Sequence, residues 1–176
     1  MIYKTDRLIV RPWKLDEVER VYDMYSRWEV VRWVGVSPKA MTSLDEARAR
    51  IDRWSTLHES TGGRFGLWAV EVQDTGVVAG TVVFKLLPNS DDSPSSDIEV
   101  GWHFHPDSWG HGYATEAARG AVDRGFASGI PEIFAVVHRD NAPSQAVCRR
   151  LGMTPIGKTD RWYGVEAEAF QLIRPA

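Results

Sequence analysis

The sequence predicts a mixed α/β fold, with a central twisted sheet of about six to seven strands flanked by about four helices. Strand-like and helix-like segments interleave along the 176 residues rather than forming separate blocks. The stretch IEVGWHFHPDSWGHGYAT, Ile98–Thr115, reads as an alternating strand ended by Pro106, then glycines that open a helix. A second strand-to-helix step follows, in which Ile133–Val137 leads to an Asn-capped helix. The length suits one core, so residues 1–176 are expected to form a single domain.

From the N-terminus, Leu8–Trp13 reads as the first strand, with Leu8 and Val10 on one face. Asp16–Trp28 carries Val18, Val21, Tyr22 and Tyr25 at helical spacing. Ser43 with Glu46 three residues on is a capping-box pattern that opens a helix to about His58. Gly62-Gly63 breaks the chain, and Phe65–Gln73 with Val77–Leu86 forms a hairpin around Asp74-Thr75-Gly76. Pro88–Asp97 (PNSDDSPSSD) has the composition of a mobile, solvated loop.

After the strand Ile98–Phe104, a helix from about Gly112 to Phe126 is marked by Ala114, Ala117, Ala118, Ala121, Val122 and Phe126 at helical period. Asn141 fits the cap of the next helix, Pro143 its first turn and Gly152 the position just past its end. Thr154–Thr159 and Glu166–Ile173 read as the last two strands.

Composition narrows the function classes. A net charge of −3 and a pI near 6.0 argue against general nucleic-acid binding, which needs a basic face. The longest apolar stretch falls far short of the roughly 20 residues of a spanning helix, so no membrane partner is expected. Lys4, Asp6 and Arg7 interrupt any signal-peptide pattern, and the one cysteine cannot form an internal disulfide. Both point to the cytoplasm. His103, His105, His111 and His138 lack zinc-ligand spacing with a third ligand, so no metal is expected.

Gly110 and Gly112 let a ligand approach the backbone closely and allow positive φ. The first turn of the helix behind them has unpaired N–H groups and about half a positive charge, which favours an anion. Together with the Asn-capped helix and the Leu151-Gly152-Met153 ending, this order resembles the GNAT superfamily of acyl-CoA-dependent N-acetyltransferases. The resemblance implies a sheet splayed at the strand 98–104 to admit acyl-CoA. Trp109-Gly110-His111-Gly112-Tyr113-Ala114 matches the family's Gln/Arg-x-x-Gly-x-Gly/Ala loop, which wraps the coenzyme A pyrophosphate with backbone amides; Trp109 departs at the first position. Trp102 and Phe104, on the strand that pairs with the pantetheine arm, and Thr115, Asn141 and Ser144 complete the cofactor contacts implied. The opening Thr5-Asp6-Arg7-Leu8-Ile9-Val10-Arg11-Pro12 is similar to the T-x-R-L-x-L-R-P start of the ribosomal-protein N-terminal acetyltransferase subgroup.

Acetyl transfer from a thioester needs a neutral amine and a proton for the leaving thiolate. Along the strand, Glu99, Gly101 and His103 share one face, which places a carboxylate and an imidazole side by side. Glu99 is the candidate base on the family's pattern, with His103 as the alternative. The family's proton-donating Tyr is replaced by Cys148, and the subgroup pattern instead implicates Ser144, one helical turn earlier. The catalytic expectation is therefore Glu99 and Ser144, with acetyl-CoA as co-substrate. The acceptor expected is a primary amine, the α-amine of a protein or peptide, with a small-molecule amine as the alternative, and the chain is expected to be a monomer or homodimer. A non-catalytic acyl-CoA-binding module is the alternative class. Trp28 and Trp33 flank the segment that covers the family's acceptor cleft.

Overall fold

The structure is a computed structural model and describes residues 1–175. The described residues form one eight-stranded sheet and five α-helices, in place of the six to seven strands and four helices expected. The strands are β1 (Tyr3–Lys4), β2 (Leu8–Arg11), β3 (Gly66–Val72), β4 (Val78–Leu86), β5 (Ile98–Phe104), β6 (Glu132–Val137), β7 (Thr154–Thr159) and β8 (Ala167–Ile173). They lie in the order β1-β2-β3-β4-β5-β6-β8-β7. The helices are α1 (Val18–Ser26), α2 (Trp28–Val31), α3 (Leu44–Ser60), α4 (Tyr113–Ala127) and α5 (Ala142–Arg150). Among the described residues, no helix is long and apolar enough to cross a membrane.

Two departures have local causes. β1 spans two residues, too short to show a period; it is held by pairing with β2 and by Tyr3 Oη donating to the Ala117 carbonyl at 2.6 Å. The helix expected over Asp16–Trp28 is three pieces: a 3-10 turn Leu15–Glu17, α1 and α2. The break between the helices is Arg27, whose backbone is extended (φ −83°, ψ 120°) while its guanidinium returns to Asp23 at 2.7 Å.

Side-chain alternation on β3 splits the core in two. Trp68, Val70 and Val72 pack with Ala117, Ala118, Ala121 and Val122 of α4, whereas Ala69 packs with Val21, Met24 and Tyr25 of α1 and Ile51 and Trp54 of α3. Helices α1 to α3 thus cover one face, and α4 and α5 the other.

β5 is paired with β4 along its whole length but with β6, its parallel neighbour, at a single register position, Glu99 with Phe134. Beyond Glu99 the two strands part, and the β6-side backbone groups of β5 have no strand partner among the described residues.

The segment expected to be a mobile loop, Pro88–Asp97, is instead a tied strap. Trp162 Nε1 donates to Asp97 Oδ2 at 2.9 Å, Arg161 pairs with the same oxygen at 2.6 Å, Ser90 N donates to the Arg161 carbonyl and Gly164 N to Ser90 Oγ. Asn89, Asp91 and Ser93 bond within the strap, but Ser90 and Asp97 bond to a segment some seventy positions later, and local composition carries no trace of that.

Gly125 is where α4 approaches β4 and β6 most closely: an added Cβ would lie 2.7 Å from Phe84 Cζ and 3.0 Å from Ile133 Cδ1. Gly125→Ala should therefore destabilise the fold by about 1–3 kcal/mol through overpacking, against a gain of roughly 1 kcal/mol in helix propensity. Urea denaturation measures the balance, and a stabilised variant would show that the helix can move away.

Candidate active site

The chain leaves β5 through His105 and a 3-10 turn, Pro106–Ser108, passes Trp109 and enters α4 at Tyr113. Gly110 (φ +81°) and Gly112 (φ +79°) both occupy the left-handed region that glycine tolerates. A Cβ on Gly110 would meet nothing within 4 Å, and one on Gly112 would meet only Arg7 Nη2 at 3.6 Å. Gly112 is the N-cap residue of α4 and offers no side chain, so the first-turn N–H groups of the helix, at the carboxyl end of β5, have no side-chain cap.

Arg7 props this loop from outside. Its Nη1 donates to the His111 carbonyl at 3.0 Å, its Nε to Glu116 Oε2 at 2.7 Å, and its guanidinium lies 4.9 Å above the Tyr113 ring. The His111 ring stacks on Tyr113 at 5.3 Å. Trp109 turns back, its Nε1 donating to the Phe104 carbonyl at 2.8 Å. Phe104 itself is buried in the core, so its side chain is not available to a ligand.

A second tie runs from α1. His105 Nε2 is 3.0 Å from Asp23 Oδ2, its Nδ1 accepts from Asp107 N at 3.2 Å, and Arg20 holds both oxygens of Asp107 at 3.0 Å. This chain of charges anchors the turn that delivers the glycine loop. Its members are far apart in sequence, and no spacing pattern announces them.

The two faces of β5 carry different chemistry. On the α4/α5 side, Trp102 Nε1 donates to Ser144 Oγ at 3.3 Å. Ser144 sits in the first turn of α5, its N–H accepted by Asn141 Oδ1 at 3.3 Å, so Asn141 is the helix cap that the sequence predicts. The indole occupies one lone pair of Ser144 Oγ, and the hydroxyl proton remains for another acceptor. Cys148, one turn later, is fully buried, and burial pushes its thiol up to about 12. It is a packing residue in the protonated state.

On the opposite face, Glu99 is nearly buried. Tyr163 Oη donates to Glu99 Oε2 at 2.5 Å, and Lys85 Nζ lies 3.6 Å from the same oxygen and donates to Tyr163 Oη at 2.8 Å. Glu99 Oε1 has no hydrogen-bond partner among the described residues. Burial and the adjacent Glu99 charge push the Tyr163 phenol far up, so it stays protonated and available to donate. Tyr163 has φ +64°, a left-handed conformation rare for an aromatic residue, and the strap contacts hold it there.

His103 Nδ1 is 3.0 Å from Tyr25 Oη, which also donates to Thr81 Oγ1 at 3.0 Å. Burial, then the nearby charges of Arg50 and Lys85, lower His103 to about 4. The imidazole is therefore neutral at pH 7, and it shares its face of β5 with Glu99. The Trp33 ring lies 5.2 Å from that of His138, while Trp28 is exposed and lies outside these contacts. Tyr25, Lys85 and Tyr163 were not legible as site residues. Tyr25 belongs to an apolar helical stripe, and the other two reach the site only through tertiary contacts. Among the described residues, no cluster of His, Cys, Asp or Glu could hold a metal ion.

A family model, the acetyltransferase (GNAT) domain, matches residues 7–154. The uncharacterized N-acetyltransferase YoaA of Bacillus subtilis is 30% identical over 157 residues, spanning 89% of this chain and 84% of its own. Among solved structures, a GNAT-family acetyltransferase from Bacillus anthracis superimposes with a TM-score of 0.77 at 21% identity, covering 97% of each chain. RimL, a ribosomal L7/L12 α-N-protein acetyltransferase solved with coenzyme A, superimposes with a TM-score of 0.78 at 17% identity, covering 98% of this chain and 97% of its own.

The depressed His103 value has a stability consequence. Between pH 6.5 and about 4 the unfolded chain binds a proton at this residue that the folded chain refuses, so stability is lost as pH falls through that window. His103→Gln should flatten the Tm-against-pH curve there and leave it unchanged above pH 7. An unaltered slope would mean that His103 titrates normally.

Proposed function

Because the chain belongs to the GNAT family of N-acetyltransferases, we propose that it moves an acetyl group from acetyl-CoA to a primary amine, the α-amino group of a protein or peptide. The observation that carries this reading is the parting of β5 from β6 beyond Glu99, with Ser144 on one face of β5 and Glu99 on the other.

The fit to coenzyme A rests on this chain's own backbone. The open glycines and uncapped α4 suit a pyrophosphate, with Gly110, Gly112 and Ala114 N–H groups as donors. The unpaired edge of β5 suits an extended pantetheine arm, which would add to the sheet as a strand does. GNAT acetyltransferases use acetyl-CoA; when bound, it supplies the acyl thioester. Trp102, Trp109, His111, Tyr113, Thr115 and Asn141 frame that arm and loop.

Glu99 Oε1 is the atom that takes a proton from the amine, directly or through water. Tyr163 and Lys85 fix the other oxygen and so set the direction in which the free one points. Ser144 Oγ, oriented by the Trp102 indole, returns a proton to the departing thiolate sulfur. An α-amine near pKa 8 gives up its proton more readily than a lysine near 10.4, which suits a single carboxylate base. The opening motif shared with the ribosomal-protein subgroup and the fold shared with RimL support a peptide acceptor.

Three measurements bear on this. A defined peptide library incubated with acetyl-CoA and read by mass spectrometry should show acetylated N-termini; acetylation of small amines alone would redirect the acceptor, and release of no thiol with any amine would favour a binding module. Gly112→Val should weaken coenzyme A by at least about tenfold in calorimetry, since a branched side chain resists positive φ. Glu99→Gln and Ser144→Ala should each lower kcat by roughly 10²–10⁴-fold, whereas Cys148→Ala should cost mainly stability. A larger kinetic loss for Cys148→Ala than for Ser144→Ala would transfer the proton-donor role.

A further inference from the structure

Arg50 is a half-buried cation on the acceptor side that forms no salt bridge among the described residues; the carboxylate acting on it is that of Glu46, one turn earlier. It lies on α3 beside Ile51 and on the stripe of Ala47 and Trp54 that faces the core. Its Cζ stands 4.5 Å over the Tyr25 ring and 6.0 Å from the Trp54 ring, and its side chain is half-buried. Arg7, Arg11, Arg20, Arg27 and Arg161 all hold carboxylates. Among the described residues, no carboxylate or carbonyl accepts from Arg50. Glu46, one turn earlier, is engaged by the Thr42 hydroxyl at 2.7 Å. Burial lowers the pKa of Arg50, the signature of a desolvated charge whose partners do not fully repay it. An aromatic face recovers part of that cost but satisfies none of the five guanidinium donors.

Its position gives this meaning. Tyr25, the ring beneath Arg50, hydrogen-bonds His103 on the acceptor face of β5, so the guanidinium sits one aromatic ring behind the parted strands. Lys85 at Glu99 is a second cation on the same side. A carboxylate matches the planar guanidinium fork. We propose that the acceptor amine carries a carboxylate, and that Arg50 binds it while the amine lies at Glu99; this rests on the acetyl-transfer reading above.

The test is calorimetric titration of the enzyme–coenzyme A complex with Ser-Glu-Glu-Leu-amide, its isostere Ser-Gln-Gln-Leu-amide and free glutamate. Wild type should bind the acidic peptide about tenfold more tightly than the neutral one, a preference that fades as salt is raised. Arg50→Gln should abolish the preference by weakening only the acidic peptide, and Arg50→Lys should retain part of it. Equal affinities in wild type, a preference indifferent to salt, or a preference surviving in Arg50→Gln would each overturn the proposal. Free glutamate binding as the acidic peptide does, with the same Arg50 dependence, would identify the carboxylate as that of an amino acid; binding of the peptide alone would identify a side chain. Acetyl transfer is assayed separately on the same acceptors. An Arg50-dependent preference without acetylated product would overturn the transfer reading and leave the carboxylate site standing.

Discussion

The separation of β5 from β6 after their single paired position is the constraint on which the site depends. A parallel pair zipped along its length would satisfy its own backbone groups and present a flat sheet. Here β5 keeps β4 on one side and exposes its other edge, and unpaired N–H and C=O groups are a template for another extended chain. The same separation makes both faces of β5 reachable at one point along the strand. Trp102 can then address Ser144 while Glu99 and His103 address the acceptor side.

An open edge is a liability unless its surroundings are rigid. Three distant ties supply that rigidity. Arg7 and Thr5 grip Glu116 and fix the start of α4; Arg20, Asp23, His105 and Asp107 join α1 to the turn before the glycines; the strap Pro88–Asp97 is sewn to 160–164 and carries Tyr163 to Glu99. Many of these groups are charged and partly exposed, where single ion pairs contribute little. Their value lies in geometry, because a backbone-amide cradle and a base are useful only when held in place.

Most strands and helices along the chain were legible because period-2 and period-3.6 patterns are local, whereas the order of the strands within the sheet was not. The glycine turn into α4 and the Asn141 cap were legible too, since both lie on short signature segments. What escaped was set mostly by tertiary contacts, several of them between residues more than sixty positions apart. The two-residue β1 has no period of its own. Arg27 reads as helix and is extended. The strap reads as solvated and is tied. Tyr163 sits in an unremarkable turn until Glu99 is placed beside it, and Arg50 reads as one more surface cation on an amphipathic helix. Glu99 and His103 could be placed on one face from the sequence, yet the burial of His103 beside Arg50 and Lys85, which keeps it neutral, is a tertiary property that the sequence does not display.

Backbone amide hydrogen exchange, with and without coenzyme A, tests most directly whether the parted edge of β5 is where the acyl carrier docks. Amides within residues 100–104 and 110–115 should gain protection on addition of the ligand, while those of β1 and β7 at the outer edges of the sheet should stay unchanged. Protection that appeared at the outer edges, with β5 and the glycine loop unaffected, would contradict the account.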